Sequence, residues 1–403
     1  MDIVIMAGGK GTRLSSLTKN QIPKPMMPFG GKPLLQLEIE ECKSQGFRDF
    51  VLTVGYQKEA IMSYFGDGSK FGVSIRYFVE NIPLGNAGAL GKMKESLSDE
   101  FFLLNGDILF SVDLRRMLAF HHEKHADITL FAHPNSHPYD SGLLVTDAKD
   151  RLIRWITKEE PRPIWYHNLT NAGIHILKKS VLEEKDGKVD LDRDILSPSL
   201  EKHKVYAYRS PEFVKDMGTP GRFESIERIP SDFRTPRKAI FLDRDGTINR
   251  YVGFLRTMDE FELLPDVGEA IRKINKSGTL AIVVTNQPVV ARGEVTLEEL
   301  DQIHQKMETL LGLEGAYLDN IYVCPHHPNK GFEGEIEELK IDCECRKPKP
   351  GLILQAVKDF NINLSGSWMI GDQDTDILCG KAAGTQTAKV GEKSLLQIIE
   401  EIL

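Results

Sequence analysis

Two aspartates, Asp243 and Asp245, close the apolar run Ala239-Ile-Phe-Leu242, and a glycine turn follows at once in Gly246-Thr247. Four apolar residues bounded by such a turn predict a buried strand. Carboxylates at its carboxyl end stand where open α/β sheets place their ligands. Residues two apart on a strand share a face, so both acids can point into one site. Two carboxylates held close repel unless a cation joins them or one keeps a proton. The pattern suits a Mg²⁺-assisted reaction with one nucleophile and one general acid/base. The plain alternative is a turn with solvated carboxylates.

Three later segments favour the chemical reading. Ile282-Val-Val-Thr285-Asn286-Gln287 is a second apolar run with hydrogen-bonding residues at its tip. Arg346-Lys347-Pro-Lys349-Pro-Gly351 supplies cations ahead of a helix. Trp368-Met-Ile-Gly371-Asp372-Gln-Asp374-Thr-Asp376 is a third run ending in acids. In this order they resemble the haloacid dehalogenase superfamily of phosphohydrolases, over residues 237–403. The resemblance implies that Asp243 attacks phosphorus and becomes an aspartyl-phosphate. Asp245 then protonates the leaving alkoxide and later activates water. Thr285 and Lys347 hold the phosphoryl oxygens, and Asp372 completes a Mg²⁺ site with Asp243 and the backbone carbonyl of Asp245. Asp374 and Asp376 either support the metal or are helix N-terminal acids.

Cys324-Pro-His326-His327 and Cys343-Glu-Cys345 flank a polar stretch, and they hold three of the five cysteines in the chain. Cys324, His326, Cys343 and Cys345 make a soft ligand set with no acid in it. That set fits a closed structural Zn²⁺ site, with His327 as a substitute for His326. Cys345 adjoins Arg346 and Lys347, so such a metal would fix the loop that carries the phosphate-binding cations. The motifs together resemble the subgroup of heptose 1,7-bisphosphate and histidinol-phosphate phosphatases, with the heptose enzymes nearer. There Asn286, Arg292 and Arg346 are expected to face substrate. Pro288 and Val289 stand where the subgroup usually has Ser and Gly.

The front half opens with the strand Asp2-Ile-Val-Ile-Met6 and the loop Ala7-Gly-Gly-Lys-Gly-Thr-Arg-Leu14. Glycines let a backbone approach a polyphosphate closely, while Lys10 and Arg13 supply charge. Pro23-Lys24-Pro25, Leu84-Gly85-Asn86-Ala-Gly88, Asn105-Gly-Asp107 and Lys215-Asp216-Met-Gly follow in order. The set resembles the sugar-1-phosphate nucleotidyltransferases over residues 1–228. The resemblance implies in-line attack of a sugar phosphate on the α-phosphorus of a nucleoside triphosphate, with no protein nucleophile. Arg13 and Lys24 neutralise the phosphates, and Asp107 and Asp216 hold Mg²⁺. Gly8, Gly9 and Gly11 offer backbone N–H groups; Gly85, Asn86 and Gly88 lie near base and ribose; Glu159 and Asn171 face the sugar. One departure stands out. Where that family commonly reads Glu-Lys-Pro, this chain has Lys158-Glu159-Glu160-Pro161.

The length of 403 residues allows two substantial cores. Alternating strands and helices predict two doubly wound α/β domains with parallel sheets, at 1–230 and 237–403, joined by a short linker at 231–236 and with a zinc loop at 324–345. Helices are expected at 34–44, 85–96, 267–277, 296–311, 351–360 and 393–402, and 117–125 reads as a solvated helix surface. A net charge of −8 without a basic block argues against nucleic acid. No apolar run approaches ~20 residues, and the start reads as a strand, which points to a cytoplasmic protein without a membrane anchor. Its partners are then small molecules (nucleoside triphosphate, sugar 1-phosphate, sugar bisphosphate), with a homo-oligomer left open.

Clearing the distal phosphate of a sugar bisphosphate leaves the 1-phosphate that a nucleotidyltransferase consumes. The resemblances therefore imply consecutive steps of nucleotide-activated heptose synthesis, with GDP-heptose favoured, feeding lipopolysaccharide, S-layer or capsule. Two alternatives are a mannose-1-phosphate guanylyltransferase joined to a histidinol-phosphate phosphatase, and a front half that only binds nucleotide.

Overall fold

The structure, a computed structural model, describes residues 1–9, 11, 22–227 and 236–403. These residues form two compact units. The first takes 1–132, 144–155 and the stretch from Asn171 onward; the second takes 133–143, 156–170 and the C-terminal part of the chain. Two stretches that a linear boundary would leave in the front half thus group with the back half.

The first unit is built on a seven-stranded sheet. Its strands are β1 (Asp2–Met6), β2 (Asp49–Val54), β3 (Ser74–Val79), β4 (Glu100–Asn105), β5 (Ile128–His133), β6 (Thr170–Lys178) and β7 (Val205–Arg209), in the order β7-β5-β6-β4-β1-β2-β3. Central β1 runs parallel to both β2 and β4. Ile3, Val4 and Ile5 are fully buried, as expected of a strand covered on both faces. The sheet is not purely parallel, because β6 runs antiparallel to β4. A separate ribbon pairs Ile108–Ser111 with Phe213–Asp216, setting Asp216 opposite Ile108.

In the second unit five strands are all parallel: β8 (Ala239–Leu242), β9 (Leu280–Asn286), β10 (Asn320–Cys324), β11 (Trp368–Gly371) and β12 (Gln386–Lys389), in the order β10-β9-β8-β11-β12. Alternation along β8 and β9 builds two cores. Ile240, Leu242, Ala281 and Val283 pack with helices Val267–Lys276, Leu297–Leu313 and Leu395–Ile402. Ala239, Phe241, Leu280 and Ile282 pack on the other face with Gly351–Phe360 and Asp374–Ala383. Truncating a fully buried Phe241 to Ala would cost about 3–5 kcal/mol.

Helix ends follow local chemistry. Thr296 and Glu299 form a capping box at the start of Leu297–Leu313, and Ser394 with Gln397 does the same for Leu395–Ile402. The helix expected from residue 85 begins only at Gly88, because Gly85 takes φ +85° and bridges to Val189. The solvated helix face expected at 117–125 holds for His122 and His125, which are exposed, but not for His121. Met117 and His121 of Leu114–Glu123, four apart on one face, are buried, and His121 Nδ1 sits 2.7 Å from Thr129 Oγ1. Among the described residues no helix is long and apolar enough to cross a membrane.

Candidate active sites

In the second unit Asp243 stands one residue past β8. Asp243 N donates to Ile370 O at 2.9 Å, carrying the β8–β11 pairing beyond the strand. Lys347 Nζ lies 2.6 Å from both Asp243 Oδ1 and Asp376 Oδ1, and all three groups are buried. Burial pushes the Asp243 carboxyl up to about 6, with Lys347 opposing and Asp376 adding to the rise. Burial alone would lower Lys347, but the two acids outweigh it and hold the ammonium up. The Lys347 loop is tied to β9 by a reciprocal amide pair: Lys347 N donates to Asn286 Oδ1 (3.0 Å), and Asn286 Nδ2 to Lys347 O (3.1 Å). Asn286, expected to face substrate, therefore clamps the loop. Thr285 is buried at the same strand end, its Oγ1 accepting from Gln287 Nε2 at 2.9 Å.

Asp243, Asp372 and Asp376 each offer an oxygen within 4.8 Å of the others. Hard carboxylate donors of this kind suit Mg²⁺. Gly246, at φ +84°, leaves the space that Asp372 occupies. Asp376 Oδ2 accepts from Gln373 N at 3.0 Å, so it caps its helix while facing Lys347 through its other oxygen. Of the two roles expected of this acid it fills the helix N-terminal one, and it stands in the group of three carboxylates whose oxygens lie close enough to share a cation. The Asp245 carboxylate has its own set of donors: it accepts from Arg244, from Asn249 Nδ2 (3.0 Å) and from Gln287 Nε2 (2.8 Å). Burial would raise Asp245, but Arg244 and these donors hold it below the usual carboxylate range. Arg292 is sandwiched between Phe254 and Phe332, at 4.0 and 4.4 Å. Arg346 Nη1 donates to His326 O at 3.2 Å.

Cys324, His326, Cys343 and Cys345 converge, with Cys345 Sγ 3.1 Å from Cys324 Sγ, 3.2 Å from Cys343 Sγ and 3.2 Å from His326 Nδ1. No disulfide links them. Three sulfurs and one imidazole nitrogen at such spacing are the ligand types of a tetrahedral soft-metal site. His327 is turned away; its Nδ1 accepts from Asn329 N at 3.2 Å.

In the first unit Gly8 and Gly9 follow β1, and Gly11, at φ +59°, backs directly onto the Lys24 side chain. Lys24 Nζ contacts Asp107 Oδ2. Met217 N donates to Asp107 O at 2.9 Å, so the two strand ends that carry Asp107 and Asp216 meet. Burial would raise Asp216, but Arg222, at 2.8 Å, keeps it low. Arg13 and Lys10 lie outside the described residues.

Asn86 makes loop contacts: its Oδ1 accepts from Leu191 N at 2.8 Å and its Nδ2 faces Asp190 at 3.4 Å. Gly88 packs on Leu84, with no room for a side chain. Asn171 Oδ1 accepts from Gly173 N (3.1 Å) and lies 3.0 Å from His175 Nε2. Glu159 belongs to the second unit, where its side chain is exposed beside Lys158 at 3.9 Å.

Sequence reasoning passed over Glu80, Arg244 and His304. Glu80 stands against Gly8 and accepts from Leu84 N at 3.2 Å, between two loops expected to meet nucleotide. Arg244 is fully buried and forks onto Asp245. Its place between the two acids of Asp-Arg-Asp was a signal in plain view.

Two family models match: one described as nucleotidyl transferase over residues 3–228, and one described as HAD-hydrolase-like over residues 344–394. A mannose-1-phosphate guanylyltransferase of Mycobacterium tuberculosis is 33% identical over 228 residues, 55% of this chain and 62% of that protein. The chain thus spans less than two thirds of that relative. A D-glycero-beta-D-manno-heptose-1,7-bisphosphate 7-phosphatase of Pasteurella multocida is 39% identical over 176 residues, 41% of this chain and 93% of that protein. A structure assigned as a glucose-1-phosphate thymidylyltransferase of Bacillus anthracis shares the front-half fold at TM-score 0.51 and 22% identity, covering 58% of this chain and 99% of that one.

Proposed function

The chain belongs to the nucleotidyl transferase family and, over its second half, to the heptose bisphosphate 7-phosphatases, and from that premise we propose that its two enzymes act in turn on one sugar. The C-terminal half removes the 7-phosphate of D-glycero-D-manno-heptose 1,7-bisphosphate. The N-terminal half then transfers a nucleotidyl group, GMP from GTP, to the heptose 1-phosphate and releases pyrophosphate. Such a product would feed a surface glycan such as lipopolysaccharide. We place the reaction in the cytoplasm, where nucleoside triphosphates are made.

The observation that carries the phosphatase reading is the buried Asp243–Lys347–Asp376 array beside Asp372. Lys347 favours the ionised form of Asp243 and offers its charge to a phosphoryl oxygen. Asp243 attacks phosphorus, Asp245 gives a proton to the departing oxygen, and Thr285 adds a donor. Asp243, Asp372 and the carbonyl of Asp245 would hold Mg²⁺, with Asp376 behind them, and the ion would supply neutralising charge on the phosphoryl oxygens. The three sulfurs and His326 would hold structural Zn²⁺ and brace the loop that carries Arg346 and Lys347.

In the front half Lys24 and Arg13 offset the triphosphate charge, and Asp107 and Asp216 would hold Mg²⁺. Glu80 supports the preference for guanine. The Watson–Crick edge of guanine presents two donors, N1–H and N2–H, that a carboxylate can accept together, whereas adenine presents one donor and one acceptor. The similarity to a mannose-1-phosphate guanylyltransferase keeps mannose 1-phosphate as the competing acceptor.

The test supplies the purified chain with Mg²⁺ and either heptose 1,7-bisphosphate or histidinol phosphate, and measures phosphate release. Pyrophosphate release is then measured with each triphosphate and either heptose or mannose 1-phosphate. Rapid turnover of histidinol phosphate, or a preference for mannose 1-phosphate, would replace the heptose reading.

A further inference from the structure

The buried pair behind Asp245 has no part in the mechanism so far. Arg244 exposes none of its surface, and its guanidinium makes a fork. Nε reaches Asp245 Oδ1 at 3.2 Å, and Nη2 reaches Oδ1 at 3.0 Å and Oδ2 at 2.8 Å. The remaining arm, Nη1, lies 3.3 Å from His304 Nε2. Arginine only donates, so this nitrogen of His304 accepts and the ring proton sits on Nδ1. Burial, aided by the Arg244 charge, pushes His304 down to about 3 and keeps it a neutral acceptor. The Arg244 backbone is pinned as well, its carbonyl accepting from the amides of Thr247, Ile248 and Asn249 at 3.3, 2.8 and 3.1 Å.

Every part of Arg244 is therefore fixed, and its free end is fixed by a residue of helix Leu297–Leu313 that is remote in sequence from the acids. A charged fork sets the direction of a carboxylate more firmly than the neutral amides of Asn249 and Gln287 can. Without His304, Nη1 would be a buried donor lacking its acceptor, and the fork could turn to find another.

We infer that Arg244 and His304 are positioning residues for the phosphatase proton transfers, His304 holding the guanidinium and the guanidinium aiming the Asp245 carboxyl at the ester oxygen. The inference rests on the reading of Asp245 as the general acid/base. As the bond from Asp243 to phosphorus forms and the ester P–O bond breaks, the Asp245 proton passes to the departing oxygen. Later a water oxygen bonds to phosphorus, the Asp243–phosphorus bond breaks, and the water proton passes to Asp245. Both transfers need the carboxyl in one place.

Leaving-group dependence, read as the rate of ester cleavage in a single turnover before the aspartyl-phosphate is hydrolysed, separates positioning from mere structural support. An alkyl phosphate needs its leaving oxygen protonated, whereas p-nitrophenolate leaves without help. H304L keeps bulk but removes the acceptor; H304Q restores an acceptor. H304L is expected to lower that single-turnover rate on the sugar bisphosphate by about tenfold, a fraction of what a general acid supplies. On p-nitrophenyl phosphate it is expected to fall less than about threefold, and H304Q is expected to recover most of the alkyl rate. R244K, which keeps the charge without the fork, gives the same comparison should H304L not fold. D245N serves as the control on the underlying reading. Equal losses on both esters in H304L or R244K, with D245N selective for the alkyl ester, would overturn the positioning role. Equal losses in D245N itself would overturn the acid/base role instead.

Discussion

Replacing Lys347 with Met removes a buried cation that two acids share at 2.6 Å each. Breaking a buried ion pair by deleting one partner costs about 3–5 kcal/mol, because the other charge is left stranded. Here the stranded charge has an escape. Asp243 already stands at about 6 with Lys347 beside it, so without the ammonium it rises further and the acid pair takes up a proton near neutrality. The loss should therefore be smaller, about 3 kcal/mol at pH 8, and smaller still at pH 6, where protonation relieves it. For a unit of this size 3 kcal/mol corresponds to a fall in Tm of about 6–12 °C. A protonated Asp243 is a poor nucleophile and the phosphoryl group loses a donor, so phosphate release should drop by about 10² or more. The assay is thermal melting without Mg²⁺ at both pH values, alongside phosphate and pyrophosphate release with Mg²⁺. A Tm within about 2 °C of wild type at pH 8 would refute the reasoning, as would pyrophosphate release falling in step with phosphate release.

Three further outcomes are expected. E80Q presents one donor and one acceptor where the carboxylate presents two acceptors, so the preference for GTP over ATP should narrow by about tenfold or more in competition assays; an unchanged ratio would remove Glu80 from base selection. Metal analysis should find tightly held zinc, and stripping it, or C343S, should abolish phosphate release while pyrophosphate release persists; full phosphatase activity in the zinc-free chain would contradict the bracing role. In the second unit His167 lies 2.7 Å from Glu308 and 3.0 Å from Asp301. Burial would lower it, but these acids raise it to about 9. A raised His contributes stability in full below its ordinary 6.5 and loses it as pH rises through 9. H167N should therefore cost on the order of 2 kcal/mol at pH 6, discounted because Asp301 is half exposed, and almost nothing at pH 10. A cost that does not change with pH would argue against the ion pair.

Much of both sites was legible because strand-end acids are local signals. Asp243, Asp372 and Lys347 each sit at the edge of an apolar run or a proline-bounded loop, and the parallel sheet brings them together. The helices at 34–44 and 351–360 match Leu34–Ser44 and Gly351–Phe360, where apolar periodicity meets a proline before the first turn. What stayed hidden depends on pairings remote in sequence. Asn286, expected to face substrate, also pairs with the Lys347 backbone 61 positions away. Asn86 is likewise engaged by the amide of Leu191. Nothing near His121 announces that Thr129, on the next strand, will bury it. Segments 133–143 and 156–170 join the second unit partly through Tyr166 N donating to Thr309 Oγ1 at 2.9 Å, a contact no local pattern encodes.

The central claim is two metal-dependent enzymes acting in series, and the most direct measurement follows one sugar through both. Heptose 1,7-bisphosphate, GTP and Mg²⁺ are incubated with the chain, with D243N or with D107N, and products are identified by mass spectrometry. The native chain should yield nucleotide-linked heptose. D107N should stop at heptose 1-phosphate, and D243N should leave the bisphosphate untouched yet still convert added heptose 1-phosphate. Nucleotide-heptose made from the bisphosphate by D243N, or made by D107N at the native rate, would contradict the account.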